Sequence, residues 1–398
     1  MDFDKLKAVL DWIHTECVVP ALDCMVYLDH KPIFRYMRGV RNLETGVPLD
    51  GNEKYIAYSV TKVVTATAVL QLVEQGKLAL TDEVSKYLPE FAKMKLSEDA
   101  FDAEAGERVM VGEAFGEAAE RGGVRYAKKP ITILHLLSMT SGLDYNNNTD
   151  AIRASVAAGK TSTRDIVRAI AESTLAFEPG TRFLYGFSFD VLGAVVEVVS
   201  GMRFGDYVKK NILDPVGMKD TSFHLPTDGE GLSRMVHRYR RTGGGLEHQP
   251  LVNIYEFGPD CDSGGAGLIS TTEDFAQFHD ALASGGVAAT GARILTPESL
   301  SLMAQNRLGG VGLSDFEKER PGYGYGLGVR THIDRERSGQ KSPLGEFGWS
   351  GAGGAFSMID VENRLSLTYF QQMQSWSMVI QNKMREALYE GLKEELKK

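Results

Sequence analysis

Two segments near opposite ends of the chain read as β-hairpins, and their separation restricts the fold more than any other feature. "ALDCMVYLDHKPIFRYMRGV", residues 21–40, joins two apolar, β-favouring runs through Asp-His-Lys-Pro; "GGAFSMIDVENRLSLTYFQQM", residues 353–373, alternates Leu365, Leu367 and Tyr369 with Ser366 and Thr368. Between them "ITILHLLSMTSGL", "TSTRDIVRAIAEST", "FDVLGAVVEVVSG" and "TTEDFAQFHDALASGG" carry helix start or stop signals. Amphipathic helices flank the whole: Phe3, Leu6, Val9, Leu10 and Ile13 share one face at the start, and Val379, Ile380, Met384, Leu388 and Leu392 share one at the end. Strands from both ends with helices inserted between them predict an α/β fold of the α+β type. A central antiparallel sheet is expected from residues 1–78 and 310–398 and a mainly helical unit from 79–309, with a cleft at their interface. Residues 93–128 and 307–345 read as long loops.

A chain of 398 residues, 43% hydrophobic, can bury a large core. Its net charge of -9 argues against nucleic acid and anionic membrane partners, which favour clustered Lys and Arg, and points to a small-molecule partner. Cys17, Cys24 and Cys261 are too few and too scattered for a disulfide framework and fit reduced thiols in a cytoplasmic setting. The acidic start lacks a signal-peptide pattern, and no window approaches the roughly 20 apolar residues of a membrane span. The eight histidines form no H-E-x-x-H or Cys/His cluster, so neither metal nor cofactor is expected.

"YIAYSVTKVVTATAVLQL", residues 55–72, reads as one helix without a polar face, yet it carries Lys62 three residues after Ser59. Burying an unpaired ammonium costs several kcal/mol unless its pKa falls until it is neutral, and either state is useful beside a hydroxyl. Ser59, near a helix start, also has free backbone N–H groups around it. The plainer alternative is that Ser59 caps the helix while Lys62 reaches the surface. A second S-x-x-K, Ser338 to Lys341, sits in a polar run and reads as a solvated loop.

Taken with "YSVTKVVTA", the ordered series "GKLALTDEVSKYLPEF", "ITILHLLSMTSGL", "FEPGTRFLYGFSFDVLGAVVEVVSG", "GGAGLISTTEDFAQF", "YGYGLGV" and "GWSGAGGAFSMI" resembles the serine hydrolases of the β-lactamase and penicillin-binding-protein superfamily. The similarity is closest to class C β-lactamases and family VIII carboxylesterases. The resemblance makes Ser59 the nucleophile and Lys62 its proton acceptor or relay. It also implies a tyrosine opening a Y-x-N motif. Tyr145 in "DYNNN" matches that pattern literally; Tyr185 in "PGTRFLYGFSFDVLG" has Phe187 in place of asparagine but follows Pro179–Gly180 and precedes an apolar helix, as in the family. Tyr185 is the preferred choice, with Tyr145 read as part of a polar loop. A phenol beside the ammonium of Lys62 should have a lowered pKa and act as base toward Ser59.

The K-T-G strand edge of the family is matched by Trp349, Ser350 and Gly351, with Ala352 next; the N–H groups of Ser59 and Ala352 would form the oxyanion hole. Trp349 and Phe187 replace a cation and an amide, which makes the substrate-binding surface more apolar and favours short-chain or small aromatic esters. β-Lactamase, D-specific peptidase or amidase activity is the alternative on the same fold, and a non-catalytic binding or regulatory homologue is the alternative outside enzymes. "CDSGGAG", residues 261–267, echoes a trypsin-like nucleophile region but lacks its histidine context, so Ser263 reads as structural.

Overall fold

The computed structural model describes residues 1–97, 123–373 and 377–396. Most of the expected loop at 93–128 lies outside the described residues; at its edges Lys95–Ser97 and Val124–Tyr126 pair as two short strands.

The strands of the two terminal hairpins meet in one eight-stranded sheet. The strands of this sheet are β1 (Ala21–Leu28), β2 (Lys31–Asn42), β3 (Val47–Pro48), β4 (Tyr323–Tyr325), β5 (Arg330–His332), β6 (Phe347–Gly348), β7 (Phe356–Asp360) and β8 (Leu365–Gln371), the hairpins being β1–β2 and β7–β8. The order is β4-β5-β6-β7-β8-β1-β2-β3, with every pairing antiparallel. β1 and β8 join the hairpins at the middle, in register from Leu22↔Gln371 to Leu28↔Leu365. The β1–β2 turn places Asp29 and His30 at positive φ, as a tight two-residue hairpin requires.

Six of the helices matter to the site: α1 (Asp4–Thr15), α2 (Thr61–Glu74), α3 (Ser188–Ser200), α4 (Thr272–Ala283), α5 (Gly310–Glu317) and α6 (Met378–Gly391). Helices α1 and α6 cover one face of the sheet, where Leu6, Leu10, Met384 and Leu388 pack with Cys24, Val26, Met358 and Leu367. The opposite face also is buried, which explains why the alternating Ser366 and Thr368 are not exposed. They lie under α4, where His279 Nδ1 stands 2.7 Å from Thr368 Oγ1 and Phe275 contacts Phe370.

Helix α4 thus lies on the sheet, although it falls within the 79–309 stretch assigned from sequence to the helical unit. Its physical reason is burial on nearly all sides: Ala276 meets Met25 and Tyr27, while Phe278 and Leu282 enter the large core shared with α2 and α3. Thr271 caps it, its hydroxyl accepting from the Asp274 N–H at 3.1 Å. Thr271→Ala should lower stability by about 1 kcal/mol in denaturant titration without changing catalytic constants. The expected loop at 307–345 is also more ordered than its composition suggests, since it supplies α5, β4 and β5. All three cysteines are free, and no described helix is long and apolar enough to cross a membrane.

Candidate active site

Residues 55–72 are not one helix. Tyr55–Ile56 form a short strand paired with Leu268–Ser270, Tyr58 turns at φ +49°, and a single 3-10 turn over Tyr58–Val60 leads into α2. A non-glycine residue held there costs on the order of 1–3 kcal/mol, and such strain persists only where surrounding packing enforces it. The result is a partly exposed Ser59 between buried Tyr58 and Val60, just before the first turn of α2. Ser59 makes no side-chain cap.

One turn on, Lys62 is fully buried, so it does not reach the surface. Its Nζ donates to the Gly265 carbonyl at 2.7 Å, the Tyr145 hydroxyl at 2.9 Å and Ser59 Oγ at 3.2 Å. The rings of Tyr185, Tyr145 and Phe189 surround it at 4.5, 5.2 and 5.9 Å. Burial pushes its pKa down to about 7, with the charge of Asp190 pulling the other way. The Gly265 carbonyl can only accept, so it fixes one N–H in either protonation state. A neutral Lys62 can therefore turn its lone pair toward the Ser59 hydroxyl.

The structure brings both candidate tyrosines to this amine. Tyr145, read from sequence as a polar loop residue, is held there by ring contacts to Phe187, Tyr255 and Tyr185 at 4.9, 4.9 and 5.5 Å. The hydroxyl of Tyr185 accepts from Trp349 Nε1 at 2.8 Å. The expected lowering of a phenol by Lys62 does not occur. Burial holds Tyr185 above its ordinary value, with the neighbouring Ser59 hydroxyl and Trp349 N–H pulling it partly back; burial and then Asp190 also hold Tyr145 well above its ordinary value. Both phenols are neutral near pH 7, whereas the amine titrates there.

The 349–352 segment follows β6. Gly351 donates to Ala355 at 2.9 Å, and a Cβ on it would stand 2.5 Å from the Ala57 carbonyl oxygen. Only glycine lets this turn lie against the backbone two residues before Ser59, with Ser350 half-buried and Ala352 exposed beside it. Trp349 is buried and packed on Tyr325, Tyr185 and Phe316. Helix α5, which carries Phe316, is tied to the Tyr185 loop by a two-pronged Arg182–Asp315 pair at 2.7 and 2.9 Å. Phe187, expected as a substrate contact, is 2% exposed and packs edge-on behind Tyr145. Ser263 is buried and donates to Asp190, while Lys341 of the second S-x-x-K is exposed.

Asp190, Gly265 and Arg320 were not singled out in the sequence. A signal existed for Asp190: it is an acid in the apolar run "FDVLGAVVEVV", the same anomaly that marked Lys62. None existed for Arg320, whose buried guanidinium stacks 5.4 Å over Trp349 and is lowered to about 10 by burial.

The sequence model of the Beta-lactamase family matches residues 7–389. The chain belongs to the Beta-lactamase family. Within it, esterase EstB of Burkholderia gladioli is 27% identical over 381 residues, 89% of this chain and 86% of EstB. Among solved structures, EstCE1, a hydrolase with promiscuous acyltransferase activity, superposes with a TM-score of 0.76 at 24% identity, covering 97% of each chain. The LovD6 mutant of simvastatin synthase from Aspergillus terreus gives 0.77 at 22% identity and 99% of each. These two likenesses show the fold. Membership of the Beta-lactamase family makes the chain a serine hydrolase, and its fold is the antiparallel sheet with flanking helices described above.

Proposed function

We propose that the protein is a carboxylesterase in which Ser59 is acylated and then hydrolysed, with Lys62 as the principal base. The observation that carries this reading is a wholly buried amine 3.2 Å from a partly exposed serine hydroxyl, with its pKa brought to about 7. In its neutral form Lys62 takes the Ser59 proton as Oγ attacks the ester carbonyl. The N–H groups of Ser59 and Ala352 donate hydrogen bonds to the carbonyl oxygen as negative charge develops on it. Tyr185 hands a proton to the departing alkoxide and regains one from the water that attacks the acyl-enzyme, while Lys62 returns its proton to Ser59 Oγ as the acyl bond breaks. Trp349, Tyr145, Tyr185 and Tyr255 form an aromatic wall, which favours neutral, short or aromatic acyl groups over charged amides.

Wild type should release p-nitrophenolate from p-nitrophenyl butyrate, and a fluorophosphonate should add one mass equivalent on Ser59. Ser59→Ala should do neither; equal turnover by both proteins would overturn the assignment. Because activity needs neutral Lys62, kcat/KM should rise with pH through about 7 and level off above it. Faster turnover of a penicillin or D-peptide than of any simple ester would replace the esterase reading with the amide or β-lactam one. Similarity to EstCE1 and to simvastatin synthase supports a second reading, passage of the acyl group to an alcohol instead of water. Assay with added alcohol separates the two by the ratio of ester to acid product.

A further inference from the structure

The "CDSGGAG" segment has no part in acyl chemistry, yet it is built against the site from behind. Ser263 Oγ donates to Asp190 Oδ1 at 2.5 Å and accepts the Ala266 N–H at 3.1 Å. Gly265 bridges two charged side chains: its N–H points at Asp190 Oδ1 at 3.4 Å and its carbonyl takes the Lys62 N–H at 2.7 Å. Asn253 Nδ2 holds the Ala266 carbonyl at 2.8 Å. Asp190 Oδ2 is buried without a hydrogen-bond partner. A Cβ on Gly265 would stand 2.5 Å from that oxygen and 2.7 Å from the Tyr145 hydroxyl, so this glycine keeps both close to its own backbone.

We propose that Asp190 is a positioning residue for the reaction, fixing the Gly265 carbonyl through Ser263 and placing a buried negative charge behind Lys62 that sets the pH at which the amine becomes a base. This rests on the serine-hydrolase reading above. A carboxylate in a low-dielectric site needs a cation or several donors to stay ionised. Burial raises the Asp190 carboxyl, and the Ser263 hydroxyl, Lys62 across the glycine and the Gly265 N–H pull it back toward the ionised form. The groups that feel its charge are Lys62 on α2, Tyr145, Tyr255 and Cys261. Lys62 is the cation among them, and Asp190 favours its protonated form; the two phenols and the thiol are pushed upward and stay neutral.

The sign follows. Removing the negative charge makes the ammonium of Lys62 less favourable, so its pKa falls and the acid limb of the rate profile moves to lower pH. In Asp190→Asn the limb of kcat/KM, and of the second-order rate of fluorophosphonate labelling, should move down by about one pH unit or more. The plateau should drop about 10-fold or less, because the amide oxygen can accept both contacts now made by Oδ1 while the NH2 is buried where Oδ2 has no partner. A folded Asp190→Asn protein whose limb coincides with that of wild type overturns the inference, whatever its plateau, because a merely structural role predicts that pattern. Gly265→Ala supplies a second reading if Asp190→Asn does not fold: its methyl displaces the carboxylate and should move the limb in the same direction. An unmoved limb there also overturns the inference. A wild-type protein that is neither active nor labelled overturns the hydrolase reading and this inference together, whereas a labelled wild type with unmoved limbs in the variants overturns this inference alone.

Discussion

Replacing Lys62 by methionine is expected to cut kcat/KM by at least ~10³-fold and to make the variant's stability relative to wild type greatest at low pH. The loss follows from removing the amine that titrates near neutrality beside Ser59. The pH trend follows from the cost of burial. An exposed lysine holds its proton to about 10.5, and in the folded chain Lys62 holds it only to about 7, a difference worth on the order of 5 kcal/mol. Since the folded value is the lower one, the penalty sets in as pH falls below 10.5 and is complete at 7 and below, where both states are protonated. Methionine fills similar space without that penalty but leaves the Gly265 carbonyl and Tyr145 hydroxyl without their donor and Asp190 without the cation across Gly265, which offsets most of the gain; the variant should compare best with wild type at pH 6 and lose about 2–3 kcal/mol against it by pH 9. Thermal melts at pH 6 and pH 9 check the trend. A relative stability that stays unchanged between them would contradict burial as the force that lowers this pKa.

The two tyrosines should separate almost as sharply. Tyr185→Phe is expected to lower kcat by ~10²–10⁴-fold, because its hydroxyl lies beside Ser59 and its loss strands the Trp349 N–H that now donates to it at 2.8 Å. Tyr145→Phe removes one of three acceptors around Lys62 and should cost about 10-fold or less, seen mainly as a small shift of the acid limb. Single-turnover measurements with p-nitrophenyl butyrate would locate each effect in acylation or deacylation. The reverse ranking would make the literal Y-x-N tyrosine the proton donor.

Much of this architecture can be read from short-range patterns. The two hairpins, the helices around the sheet and the Ser59–Lys62 spacing each lie within a few residues of chain. What could not be read depends on groups distant in sequence. Tyr145 looks like a loop residue until Phe187 and Tyr255 pack against it from other segments. The turn at Tyr58 has no glycine or proline to announce it; packing forces it. The phenol pKa values went the other way from expectation because a charge argument made from Lys62 alone ignored how thoroughly the site is buried. Asp190 was legible in principle, as a charge in an apolar helix, but its meaning appears only when residues 263–266 are seen between it and Lys62.

The adjacency of β1 and β8 has a consequence for how the molecule is born. β1 leaves the ribosome long before β8, its partner at the middle of the sheet, and contacts this distant in sequence close slowly. Ser59 and Lys62 are likewise synthesised well before Trp349 and Gly351. A nascent chain therefore carries the Ser59–Lys62 pair for a long stretch of translation without the wall that completes the site, and hydrolase activity should switch on only after β8 has emerged.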